Sequence, residues 1–106
     1  MSDDLIKVAS TVDFNEQGFQ VVEHDDREIL LCQSSDGIYA VDNLCSHAEE
    51  KLCFGKLKGG KVFCPLHGAA FDIKTGAALS RPATEPIETF DIVIEGYDIF
   101  LRSGSD

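Results

Sequence analysis

Apolar and polar positions alternate along this chain in short runs bounded by turn residues, the pattern of half-buried strands and not of helices. Residues 5–9 make a plausible first strand, followed by a polar loop through Asn15-Glu16-Gln17-Gly18. Residues 19–24 and 28–33 flank Asp25-Asp26-Arg27 and predict a hairpin. Ser34-Ser35-Asp36-Gly37 is a turn signal, after which 38–41 forms a strand. A helical turn fits near 49–54. Lys58-Gly59-Gly60 turns the chain between two short strands, the second at 61–64, and 69–73 is a strand closed by Lys74-Thr75-Gly76. The two prolines of Arg81-Pro82-Ala83-Thr84-Glu85-Pro86 break any ladder they join, so that stretch is irregular. Alternation returns over 87–95, with Phe90, Ile92 and Ile94 on one side, and 99–101 is the last strand. Nothing repeats internally, no linker interrupts the pattern, and 103–106 reads as a frayed tail. The expectation is an all-β single domain over 1–106. Two or three small antiparallel sheets pack as a sandwich or open barrel.

Composition narrows this picture. The 106 residues are 43% apolar and 26% charged, as in a soluble globular protein. No apolar run approaches the roughly 20 residues of a membrane span. The acidic start MSDDLIKVAS has neither the basic residues nor the apolar stretch of a signal peptide, so the cytoplasm is the expected location. Nineteen acids against nine bases give a net charge of −10. Nucleic acid and anionic membrane are thereby disfavoured as partners, since both need a basic surface. Solubility is one reading of the acidity, and an electrostatic footprint for a basic protein partner is the other.

The chemistry sits between Cys45 and Asp72. Two short pairs stand there, Cys45-Ser46-His47 and Cys64-Pro65-Leu66-His67, with sixteen residues between them. A thiolate and an imidazole so close on one loop can ligate a single centre. Two such loops together supply the ligands of a two-iron cluster of the mixed Cys/His kind, or of tetrahedral zinc. Three features favour iron and sulfur. Each pair mixes Cys with His, whereas zinc fingers usually run a Cys pair and then a His pair. Pro65 suits a loop bent around a cluster, and Gly68 lets the backbone pass close to inorganic sulfide.

This stretch resembles the Rieske [2Fe–2S] family, whose pattern is C-x-H, a spacer of similar length, then C-P-x-H-G and an aromatic-Asp pair, here Phe71-Asp72. The resemblance extends over the whole chain. It implies the Rieske fold, with a cluster-binding subdomain of two loops at about 43–55 and 63–72, each at the tip of a hairpin-like element. It implies one [2Fe–2S] cluster, with Cys45 and Cys64 on the inner iron and His47 and His67 on the outer one, at a solvent-exposed edge where electrons enter and leave. It further implies a monomeric electron carrier, not an enzyme, between an NAD(P)H-dependent flavoprotein ferredoxin reductase and a terminal aromatic-ring-hydroxylating oxygenase. The alternatives are a Rieske-like small subunit of an assimilatory reductase such as nitrite reductase, which often lacks the ligands, and a structural Cys2His2 zinc module.

High-potential members of the family clip their loops with two further cysteines. Cys53 matches one of these and Leu66 stands at the other, so the clip cannot form and Cys53 is a free thiol. Cys32, in EILLCQ, reads as a small apolar strand residue, and His24 as a partly exposed surface histidine. Those high-potential members also carry a serine and a tyrosine that donate to cluster sulfurs. Here the same positions are Ala69 and Phe71, which have no side-chain donor. Two donors at roughly 1.5–3 kcal/mol each correspond to a drop on the order of 100 mV. A potential near the low end of the family's roughly −150 to +300 mV follows.

Overall fold

The computed structural model describes residues 4–46, 50–65, 68–81 and 85–103. Alternation along these residues yields three antiparallel sheets and, among the described residues, no α-helix. The first sheet holds β1 (Asp4–Ser10), β10 (Asp98–Ser103) and β9 (Ile92–Glu95), with β10 in the middle. The second runs β2 (Phe19–His24), β3 (Arg27–Ser34), β4 (Gly37–Asp42) and β8 (Thr89–Phe90). The third is β5 (Lys56–Lys58), β6 (Lys61–Phe63) and β7 (Ala70–Asp72). No helix among the described residues is long and apolar enough to cross a membrane.

Strand β3 divides the core. Its run Ile29-Leu30-Leu31-Cys32 is buried throughout, as befits a strand covered on both faces. Period two sends Leu30 and Cys32 into a cluster with Phe19, Val41, Leu52 and Phe71, while Ile29 and Leu31 join Ala40, Ile99 and Leu101 on the other side. The second sheet is therefore a middle layer between the first sheet and the β5–β6–β7 subdomain. Its leading hairpin turns at Asp25 and Asp26, both at positive φ (53° and 63°), which pairs His24 with Arg27. Paired left-handed residues of this kind make the two-residue turn that matches strand twist, and Asp tolerates it.

The structure corrects the expected strand at 87–95. That stretch breaks at Asp91 into β8, bonded to β4, and β9, bonded to β10. The alternation survives the break because Phe90 and Ile92 pack on the same cluster from either side of a sandwich corner. Arg27 braces the corner, its guanidinium lying 5.0 Å from the Phe90 ring centre and pairing with Glu88 at 2.8 Å and Asp42 at 3.2 Å. The helical turn expected near 49–54 is a 3₁₀ turn, Leu52–Phe54. Arg81, Glu85 and Pro86 carry no regular structure, as expected; 82–84 and the tail 104–106 lie outside the described residues.

Candidate metal centre

Cys64 begins the tip of the β6–β7 hairpin, whose last pair is Phe63 with Ala70. Its N–H donates to the Ala69 carbonyl at 2.7 Å, closing the loop across five residues. Cys45 does the same in the other loop, donating its N–H to the Glu50 carbonyl at 2.9 Å. Both loops are thus closed by the same device at the same spacing, from the cysteine N–H to the carbonyl five residues on. Both cysteines are buried, at 3% and 2% exposure, and belong to one apolar cluster with Phe71, Leu52 and Val62. The neighbouring Ser46, Pro65 and Gly68 are exposed, so each loop climbs from core to surface within a few residues. His47 and His67, which fall inside the two closed spans in sequence, lie outside the described residues.

The expectation that both loops tip hairpins holds for the second only. Both edges of β4 are taken, by β3 and β8, so the chain leaving β4 has no edge to return along. It crosses instead through the 3₁₀ turn to β5 in another sheet. What holds this crossover is a polar network that sequence reading did not single out. Asn43, 2% exposed and the one buried polar residue among those described, donates from Nδ2 to Glu28 Oε1 at 3.1 Å and to Cys53 Sγ at 3.4 Å. Its Oδ1 accepts the Cys53 N–H at 2.8 Å. Lys51 closes the ring on Glu28 Oε2 at 3.0 Å, and together Lys51 and Asn43 hold the Glu28 carboxyl below the usual carboxylate range. Further along, Ser46 Oγ donates to the Glu85 carbonyl at 2.6 Å. Asn43→Ala leaves the Cys53 amide without its acceptor, at a cost of roughly 1–3 kcal/mol. The expected result is a lower urea midpoint together with faster modification of Cys53 by a thiol reagent, and neither change would mean that the network does not clamp the loop.

Glycine supplies the second unforeseen contact. A Cβ at Gly55 would stand 1.7 Å from the Phe63 carbonyl oxygen, so the exit of the first loop lies directly on the strand that delivers Cys64. Gly68 differs: its φ is +71°, a conformation that L side chains rarely adopt, and no protein atom lies within 4 Å of an added Cβ.

The remaining candidates sort cleanly. Burial pushes the Cys32 thiol up to about 12, which keeps it protonated, whereas metal ligands are thiolates. Cys53 is a free thiol, half-buried beside Asn43. His24 ends β2 with its Nε2 3.3 Å from Asp25. Ala69 and Phe71 are fully buried, and Phe71 packs in the cluster that contains both Cys45 and Cys64. Two buried thiols set in the apolar core, with loops rising to the surface, fit a cluster held from inside by sulfur.

Comparison with known proteins agrees with this geometry. Residues 4–91 match the family model described as the Rieske [2Fe-2S] domain. The ferredoxin component of the naphthalene 1,2-dioxygenase/salicylate 5-hydroxylase systems of Ralstonia sp is 36% identical over 102 residues, covering 96% of this chain and 98% of that protein. Among solved structures, the ferredoxin of carbazole 1,9a-dioxygenase from Nocardioides aromaticivorans IC177 superposes with a TM-score of 0.85 at 31% identity, over 92% of this chain and 95% of that one. A chain from the complex of reduced oxygenase and oxidized ferredoxin in carbazole 1,9a-dioxygenase gives 0.83 at 26% identity, over 92% of each chain.

Proposed function

Because this chain belongs to the Rieske [2Fe–2S] domain family, we propose that it is a monomeric, cytoplasmic, single-domain electron carrier between a flavoprotein NAD(P)H-dependent ferredoxin reductase and a terminal aromatic-ring-hydroxylating oxygenase. The observation that carries this reading is the matched pair of loops, each closed by the N–H of a buried cysteine. Relatives of nearly the same length, named as ferredoxins of dioxygenase systems, support the choice of an oxygenase as the electron acceptor.

Cys45, Cys64, His47 and His67 are the proposed ligands. His47 and His67 follow the two buried cysteines in the C-x-H and C-P-x-H spacing of the family whose model the chain matches. When bound, the cluster supplies a one-electron couple whose added electron resides on the histidine-ligated iron. Cys45 and Cys64 fix it from the core side, and Phe71, Leu52 and Val62 keep water from that side.

Ala69 and Phe71 set the potential by what they lack. Hydrogen bonds to the sulfurs stabilise the extra negative charge of the reduced state. Protein-film voltammetry at neutral pH should therefore find a potential near the low end of the Rieske range, reducible by a flavoprotein, and a value above about +100 mV would contradict the carrier role. Ala69→Ser with Phe71→Tyr should raise it, on the order of 100 mV if both new hydroxyls reach sulfur. An unchanged potential would mean that these side chains do not face the cluster.

A further inference from the structure

The net charge of −10 is segregated along the chain. Residues 50–81, from the exit of the first loop through the β5–β6–β7 sheet, hold six of the nine bases but only two of the nineteen acids, Glu50 and Asp72. Lys51 and Lys74 are engaged with Glu28 and Asp36. Lys56, Lys58 and Lys61 are not: all three are exposed, and none forms an ion pair among the described residues. Lys58 stands directly opposite Lys61, and Lys56 follows two residues along the same strand, so the three share one face of the hairpin. Like charges directly opposite destabilise a sheet. Lysines on an edge strand discourage unwanted strand addition, which accounts for Lys56 and Lys58 on β5. It does not account for Lys61, because β6 is the central strand.

The same face leads to the metal centre. Lys56 lies opposite Phe63, the residue before Cys64. Beside them a groove of about 530 Å³ is lined by Phe54, Lys56, Phe63, Pro65 and Gly68, among others. Phe54 is 71% exposed. An exposed aromatic next to unpaired cations combines apolar contact with electrostatic steering. We propose that Lys56, Lys58, Lys61 and Phe54 form a docking face for a protein partner with a carboxylate-rich surface, which this face brings over the second ligand loop. The assignment rests on the electron-carrier reading. The remainder of the chain, with three bases against seventeen acids, repels such a partner, so only an approach with this face forward is attractive.

Poly-L-glutamate is the probe for the carboxylate surface. The cluster-loaded protein is titrated with it at about 0.1 M ionic strength, where charges act over about 10 Å and the local face outweighs the net charge. Amide ¹⁵N–¹H shifts should change saturably within 56–63. The triple variant Lys56→Glu/Lys58→Glu/Lys61→Glu should bind at least tenfold more weakly with its visible spectrum intact, and Lys7→Glu/Arg102→Glu, on the far sheet, should bind as the parent does. Shifts centred on the far sheet, an equal loss in the control variant, or no saturable binding overturn the docking face. The visible spectrum separates the two readings: polyglutamate bound through 56–63 by a protein without iron–sulfur absorption supports the face and overturns the carrier role.

Discussion

Replacing Cys45 or Cys64 with Ser, or His47 or His67 with Ala, is expected to abolish the EPR signal of the reduced cluster, while Cys53→Ser and His24→Ala leave it in place. The two cysteines are the described thiols that the loops bury and close upon by their own backbone N–H groups. Serine in either place offers a harder, shorter ligand, and alanine for either histidine removes an imidazole outright. Cys53 is the informative control, because it sits in the same loop. Its Sγ accepts a hydrogen bond from Asn43 at 3.4 Å, a role that a serine hydroxyl can also fill. His24 ends β2 at the hairpin turn and is paired with Asp25, outside both Cys/His spacings. A cluster bleached by Cys53→Ser but retained in Cys45→Ser would refute the ligand assignment.

The second large effect should come from one methyl group. In Gly55→Ala the new Cβ would meet the Phe63 carbonyl oxygen at 1.7 Å and its carbon at 2.9 Å, both backbone atoms that no rotamer change can move. The Gly55 N–H also closes the 3₁₀ turn on the Leu52 carbonyl at 2.9 Å, and β5 begins with the next residue. Relief requires the first loop to lift off β6, and Phe63 is the residue before Cys64. Overpacking of this severity falls at or beyond the upper end of the usual cost, about 3 kcal/mol. The expected outcome is a lowered urea midpoint in the apoprotein and poor cluster retention in the loaded one. A Gly55→Ala protein that matched the parent in both would show that the two loops are not coupled through this contact.

How much of this was legible beforehand depends on whether the signal is local. The hairpin turns at Asp25-Asp26 and Gly59-Gly60, the buried run of β3 and the two Cys/His pairs announce themselves, since turn chemistry, period two and ligand spacing all act within a few residues. The break at Asp91 does not, because Phe90 and Ile92 continue the alternation while the strand changes sheets. Asn43 and Gly55 were equally silent. One looks like loop polarity and the other like a turn until β3 and β6 are brought against them. Charge placement is equally hard to read from a total: the chain carries −10, yet Lys56, Lys58 and Lys61 share one face of the hairpin that leads to Cys64.

The proposed electron carrier depends on a two-iron cluster held by two thiolates and two imidazoles in these loops. Pulsed EPR on the dithionite-reduced protein tests it most directly, because nitrogen couplings report the imidazoles themselves. The expected result is a Rieske-type signal coupled to two imidazole nitrogens. A cluster signal without nitrogen coupling, or a colourless EPR-silent protein with stoichiometric zinc, would contradict it.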